Sequence, residues 1–306
     1  MVDLSVKIGK LKLKNPVMVA SGTFGMEYRR FIDVSSLGAV VTKTITLNGR
    51  MGNPPPRLAE TTSGMLNSIG LENKGLDDFI KNKIPLFPKG KTALIVSIAG
   101  DNENEFKELA KGLKNVKAIS ALEINLSCPN VRHGTREGLI AQDEEAVYSV
   151  VGAVRKVTRL PVIAKLTPNV TDIAKIAIAS EKAGADAVLL VNTFPAMAVD
   201  IDTKRPKLGN ITGGLSGPAI KPIALKMVWD AYNKIDIPII GCGGIMDYKD
   251  AVEFMVCGAA AIQVGTATFI NPKAAAEIVK GLAKYCTKNG IGSVSGLVGS
   301  LNAGAL

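Results

Sequence analysis

The sequence holds one histidine, His133, and its four cysteines, Cys128, Cys242, Cys257 and Cys286, stand far apart with no CxxC pair. Zinc and iron–sulfur sites draw on closely spaced cysteine and histidine ligands, so none can be assembled here by familiar spacing. Any metal cluster in the function must belong to another chain. Aromatic residues make up only 5% of the chain, too few for base-stacking platforms. The formal charge of +10 comes from lysines scattered through the chain, which read as solvated faces with anionic ligands as a local addition, not as a nucleic-acid footprint. Long apolar runs are also missing. The most apolar stretch, Phe254 to Ile270, is broken by Gly258, Gln263 and Gly265 and divides into a helix end, a glycine stop and a buried strand. The opening residues, Met1 to Lys7, carry an early acid and no apolar segment of the signal-peptide kind, so neither a secretory signal nor an anchor is expected there and the cytoplasm is the expected compartment.

What is present is a large core. At 47% hydrophobic and 21% charged residues, the 306-residue chain reads as an ordinary globular protein, with one or two domains allowed by length alone. Eight short apolar runs recur: Val17 to Ala20, Ala39 to Thr42, Ala93 to Ile98, Ala121 to Leu126, Val162 to Leu166, Ala187 to Val191, Pro238 to Ile240 and Ala261 to Val264. They are continuous rather than alternating, as parallel strands buried on both faces require, and most are separated by helical periodicity, as in Asp143 to Thr158 and Thr171 to Ala183. Asp143 and Asp172 sit near helix starts, and Gly184 and Gly258 stand where a left-handed cap precedes a buried strand. The pattern predicts an α/β fold, a (β/α)8 TIM barrel forming a single domain over residues 1–306. Two gaps, Ile45 to Lys91 and Thr193 to Ile237, exceed what a crossover helix needs, and such insertions are expected to cover the C-terminal mouth, where barrels of this kind place their sites.

The C-terminal strand ends carry polar residues or glycine in all eight cases: Ser21-Gly22, Lys43-Thr44, Ser97, Asn125 with Cys128, Lys165, Asn192-Thr193, Gly243-Gly244 and Gly265-Thr266. Glycines on adjacent strands seven and eight expose backbone N–H groups to a phosphate, although one such cluster alone could be a tight turn. Cys242, between them, reads as a buried spacer. Lys43 and Lys165 close apolar strands, which implies negative ligand groups, with snorkelling to solvent as the plain alternative and a Schiff-base lysine as the sharp one. Asn67, Asn125, Asn130 and Asn192 supply donors and acceptors without charge, suiting a planar ligand with imide or amide edges, although any one asparagine is commonly a turn residue. Cys128 lies just past the fourth strand in Asn125-Leu126-Ser127-Cys128-Pro129-Asn130, among polar neighbours that make poor core.

Taken together, Ala20-Ser21-Gly22-Thr23-Phe24-Gly25, Lys43-Thr44, Gly52-Asn53-Pro54-Pro55-Pro56-Arg57, Asn67-Ser68-Ile69-Gly70-Leu71, Asn125 to Asn130, Gly213-Gly214-Leu215-Ser216-Gly217 and the two terminal glycine clusters closely resemble the class 1 dihydroorotate dehydrogenases, in detail class 1B. The resemblance runs nearly end to end. It implies FMN as cofactor and oxidation of dihydroorotate to orotate in pyrimidine (UMP) biosynthesis. FMN contacts would be Ser21, Lys43, Thr44, Ser97, Asn125, Lys165, Val191, Gly217, Gly243, Gly244, Gly265 and Thr266. Orotate would be held by Lys43, Asn67, Ser68, Ile69, Gly70, Leu71, Asn125, Asn192 and Thr193. Cys128 would be the general base that removes a ring-carbon proton while the neighbouring hydride passes to flavin N5. Two departures stand out: Val131-Arg132-His133-Gly134-Thr135 where relatives often carry a second glycine, and Ser97 where many carry asparagine.

Class 1B further implies a partner, an electron-transfer subunit carrying FAD and an iron–sulfur cluster that passes electrons to NAD, with two copies of each chain in a heterotetramer. The near alternative is a class 1A homodimer using fumarate. The membrane-bound, quinone-linked class uses serine where this chain has Cys128. More distant readings are a lysine-dependent lyase on the same barrel, a flavin-dependent RNA uridine reductase, and a non-enzymatic phosphate-binding module. No nucleic acid or membrane partner is implied.

Overall fold

A computed structural model describes residues 2–87, 90, 92–127, 140–302 and 304. Eight parallel strands close into a barrel: β1 (Val17–Val19), β2 (Ala39–Val41), β3 (Ala93–Ile98), β4 (Ala121–Asn125), β5 (Val162–Lys165), β6 (Ala187–Leu190), β7 (Ile239–Cys242) and β8 (Ala259–Val264). They are the eight apolar runs of the sequence, in sequence order around the ring, and β8 returns to β1 with Gln263 opposite Met18. The α/β barrel expectation therefore holds. Strand β7 runs to Cys242, two residues beyond the apolar run, because Gly241 and Cys242 still pair with β8.

Outside the ring lie α1 (Glu103–Leu113), α2 (Glu144–Val157), α3 (Ile173–Lys182), α4 (Lys221–Tyr232), α5 (Tyr248–Val256) and α6 (Ala274–Lys288). The anticipated caps are in place. Asp143 accepts from the N–H groups of Glu145 and Ala146, and Asp172 from that of Ala174, satisfying donors that a helix start leaves open. Gly184 and Gly258 take φ of 94° and 118° before β6 and β8, conformations a Cβ would disfavour. Burial of Val147, Val150, Val151 and Val154 on one side of α2 shows how a 3.6-residue period packs each helix against the strands.

The two long insertions build one sheet. Leu58–Thr61 and Gly64–Asn67 come from the first, Phe194–Met197 and Thr212–Ser216 from the second, and the four are antiparallel with 64–67 and 212–216 adjacent at the centre. Gly214 sits opposite Asn67 and Ser216 opposite Met65. The sheet is fastened over the C-terminal strand ends, where Thr266 Oγ1 donates to Ser216 Oγ at 2.8 Å. At the other end of the barrel, the hairpin Val6–Ile8 and Leu11–Leu13 lays its Gly9 turn against Asp186, at the start of β6. Among the described residues no helix is long and apolar enough to cross a membrane.

Candidate active site

Three glycine-bearing segments meet where β7 and β8 end. Gly217, Gly243 and Gly244 have φ of 95°, 131° and 76°, left-handed backbone that glycine adopts freely. A Cβ on Gly244 would lie 2.8 Å from the carbonyl oxygen of Gly217, and one on Gly217 would lie 3.5 Å from Cγ2 of Thr266. The backbone N–H groups of Gly243, Gly244, Gly265 and Thr266 meet no acceptor among the described residues. Donors of this kind, with no side chain in the way, suit a phosphate, and this is the usual phosphate position in (β/α)8 barrels. One side is walled by Lys221, whose Nζ donates to Asp250 at 2.7 Å and to Glu253 at 3.1 Å. Burial works against the Lys221 charge, but the bonds to the two carboxylates outweigh it and raise its pKa.

Two more cations face the mouth. Lys165 ends β5, is buried, and donates to Ser21 Oγ at 3.3 Å. Lys43 follows β2 and leans over Gly22, where a Cβ would lie 3.5 Å from its Nζ. Burial pulls the Lys43 pKa down; Glu72 opposes that and the nearby Lys165 adds to it. Both effects would be relieved by a negatively charged ligand. Next to Lys43, the Thr44 and Ser97 hydroxyls share a hydrogen bond of 2.9 Å, and the Ser97 N–H donates to Thr42 Oγ1 at 3.2 Å. Ser97 is wholly buried, with its hydroxyl against that of Thr44.

The asparagines form a wall joining β4 and β6 to the covering sheet. Asn125 Oδ1 accepts from Asn192 Nδ2 and from the Ser127 N–H, each at 3.3 Å, and Asn192 Oδ1 accepts from the Thr193 N–H at 2.8 Å. Thr193 presses on Gly214, where a Cβ would lie 2.0 Å from its Oγ1, and Asn67 Nδ2 donates to the Gly214 carbonyl at 3.2 Å. Beyond Asn67 the chain is pinned by the first insertion. Asn53 accepts from Arg57 Nε through its backbone carbonyl, and donates from Nδ2 to Ser68 Oγ at 2.8 Å and from its N–H to the Ile69 carbonyl at 3.0 Å, before Gly70 and Leu71 turn at φ of 71° and 55°. Val191 is buried, and its N–H donates to the Cys242 carbonyl at 2.8 Å. Cys242 is a buried thiol, as the spacer reading expects. Cys128, Pro129 and Asn130, with 131–135, lie outside the described residues.

One pair of polar residues is absent from the site residues that the sequence suggests. Glu123 in β4 and Gln263 in β8, both wholly buried, meet across the barrel interior, with Gln263 Nε2 donating to Glu123 Oε2 at 2.7 Å. Glu123 Oε1 lies 3.9 Å from Lys165 Nζ. The signal was available, since a carboxylate inside Ala121 to Leu126 and an amide inside Ala261 to Val264 break otherwise apolar strands.

These features agree with what the chain is similar to. The family model described as dihydroorotate dehydrogenase matches residues 3–286. A protein of Caldicellulosiruptor saccharolyticus named dihydroorotate dehydrogenase B (NAD(+)), catalytic subunit, is 51% identical over 304 residues, covering 98% of this chain and 100% of that protein. One of the same name from Geobacter sulfurreducens is 50% identical over 302 residues, 98% of each chain. A crystal structure of DHODH from Eimeria tenella in complex with ferulenol superposes with a TM-score of 0.78 at 25% identity, covering 97% of this chain and 88% of that one. With a family match over nearly the whole length, and half-identical relatives aligned end to end, the barrel and its mouth are those of a member of the dihydroorotate dehydrogenase family.

Proposed function

We propose that this chain is the FMN-binding catalytic subunit of an NAD-linked dihydroorotate dehydrogenase, a barrel spanning 1–306 that oxidises dihydroorotate to orotate in pyrimidine biosynthesis. The observation that carries the reading is the convergence, at one barrel mouth, of an unobstructed glycine cradle, two cations and an asparagine wall. The residues fit the cofactor: Gly217, Gly243, Gly244, Gly265 and Thr266 would take its phosphate, and Ser21, Lys43, Thr44, Ser97, Asn125, Lys165 and Val191 would line its ring system. FMN, when bound, supplies an acceptor for two electrons. The chain's own residues do the rest. Uncharged amides of Asn67, Asn125 and Asn192, with Thr193, would match the imide edge of the substrate, the segment Ser68 to Leu71 would close over it, and Lys43 would meet its carboxylate.

Cys128 would take the ring-carbon proton. A thiol with a reference pKa of about 8.5 is only a few per cent thiolate at neutral pH, so turnover rises as pH approaches that value. Cys128→Ala is expected to keep the yellow cofactor and lose reduction by dihydroorotate; rapid reduction of the variant excludes Cys128 as the base. The scattered cysteines leave electron export to an electron-transfer subunit carrying FAD and an iron–sulfur cluster, within a cytoplasmic heterotetramer. The relatives' name, catalytic subunit, supports such a partner. The test is reoxidation of the substrate-reduced chain: NAD should act only when the partner is added. Reoxidation by fumarate alone would contradict the NAD-linked assignment.

A further inference from the structure

The barrel interior below the mouth carries a charge that the flavin reading leaves without a task. Glu123 is wholly buried in the middle of β4, and a buried carboxylate costs several kcal/mol in desolvation where an apolar side chain would pack at no such cost. Its Oε2 is fixed by Gln263 Nε2 at 2.7 Å from the opposite side of the barrel, while Oε1 has no hydrogen-bond donor among the described residues and lies 3.9 Å from Lys165 Nζ. Lys165 stands one inward step nearer the mouth, opposite Asn125 in the β4–β5 register, and its Nζ also donates to Ser21 Oγ at 3.3 Å. The ammonium is thus tied from below by Glu123 and from the side by Ser21. Cys242 reports the same enclosure: burial raises its thiol pKa, Lys165 lowers it and Glu123 raises it.

We propose that Glu123, held by Gln263, is a positioning residue for Lys165, and that the pair sets how much positive charge reaches the flavin and hence its reduction potential. This rests on the FMN reading. A reduced flavin is more negative than an oxidised one, so a nearby ammonium favours reduction, and a carboxylate 3.9 Å behind that ammonium cancels part of its field. Removing the carboxylate while keeping the shape should therefore raise the potential.

The test is the midpoint potential of the FMN-loaded chain with Glu123→Gln, which retains an acceptor for Gln263 Nε2. The expected rise is about tenfold in the oxidised-to-reduced equilibrium, ~30 mV for a two-electron couple. A purely structural Glu123 would lower the denaturation midpoint and leave the potential alone, so an unchanged or lowered potential overturns the inference. If Glu123→Gln does not fold, Glu123→Asp, which withdraws the charge by one methylene, must show a smaller rise in the same measurement, and no rise overturns it. In parallel, Glu123→Gln with Lys165→Met buries no lone charge and should denature at a higher urea concentration than Glu123→Gln alone. Failure to recover contradicts the pairing. A wild-type chain that takes up no FMN would refute the functional reading together with this inference, whereas a loaded wild type with an unshifted variant refutes this inference alone.

Discussion

Gly244→Ala is the substitution to which the glycine cradle is most exposed. At φ of 76° an alanine costs about 1–2 kcal/mol more than glycine through its backbone conformation alone. Its Cβ would also lie 2.8 Å from the Gly217 carbonyl oxygen, 2.8 Å from Lys221 Cβ and 3.0 Å from the Lys221 nitrogen. Two of those three atoms belong to the main chain and cannot swing aside, so overpacking adds about 1–3 kcal/mol. Gly290 supplies the control, with φ of 68° and nothing within 4 Å of an added Cβ. Gly290→Ala therefore bears the backbone cost alone. In urea denaturation with unchanged slopes, Gly244→Ala should be less stable than Gly290→Ala by about 1–3 kcal/mol. Because Gly217 and Gly244 must part to admit the methyl group, the N–H group of Gly244 no longer converges with those of Gly265 and Thr266. FMN affinity followed by flavin fluorescence should then fall at least tenfold, roughly 1.4 kcal/mol, with Gly290→Ala binding like the parent. Two equally stable variants that both retain FMN at the parent affinity would refute the cradle.

Three further predictions follow from the electrostatics and packing of the mouth. Burial depresses the Lys43 pKa, so its unfavourable charge weighs fully on the folded chain below that depressed value and fades as pH rises towards the usual lysine value of about 10.4. Lys43→Met should thus raise the urea midpoint at pH 7 and lose that advantage near pH 10.5; a pH-independent difference would show that the ammonium is not its source. Asp250, in the first turn of α5, completes a capping box with Asp247 by accepting from the N–H groups of Met246 and Asp247, and binds Lys221; burial pushes its pKa up, but these bonds outweigh it and the net shift is down. The parent should then exceed Asp250→Asn by about 1 kcal/mol at neutral pH, and the gap should close as pH falls below about 3.9 through the depressed folded value; persistence of the gap in acid would argue against the charge. Gly214→Ala forces Thr193 away, since the new Cβ would lie 2.0 Å from Thr193 Oγ1. It is expected to raise the Kd for orotate while leaving FMN content intact, as read by equilibrium dialysis, and simultaneous loss of FMN would place Thr193 elsewhere than on the substrate side.

The barrel was legible because each strand is buried on both faces and reads as an uninterrupted apolar run, and because Asp143, Asp172, Gly184 and Gly258 punctuate the helices with residues whose local chemistry fixes a start or a stop. The covering sheet was not. Thr212-Gly213-Gly214-Leu215-Ser216 has no alternation, and its register comes from Gly64–Asn67 in the other insertion, a pairing that no local pattern encodes. The hairpin Val6–Ile8 and Leu11–Leu13 did carry its signal, apolar and lysine residues alternating around Gly9-Lys10. Within the site, glycines and terminal lysines could be found because they interrupt apolar runs at strand ends. Glu123 and Gln263 interrupt them in mid-strand, and what they do depends on a contact across the barrel between β4 and β8. Ser97 shows the same limit, since its place beneath Thr44 follows from β2 and β3 lying side by side.

A flavin at this mouth that accepts electrons from dihydroorotate would reveal itself when dihydroorotate is added to the purified, FMN-loaded chain without oxygen and the flavin absorbance is followed. Rapid bleaching by the substrate alone is expected, with orotate formed in equal amount and no second subunit required for this half of the reaction. A flavin that stays oxidised in the presence of excess dihydroorotate, while still being reduced by dithionite, would contradict it.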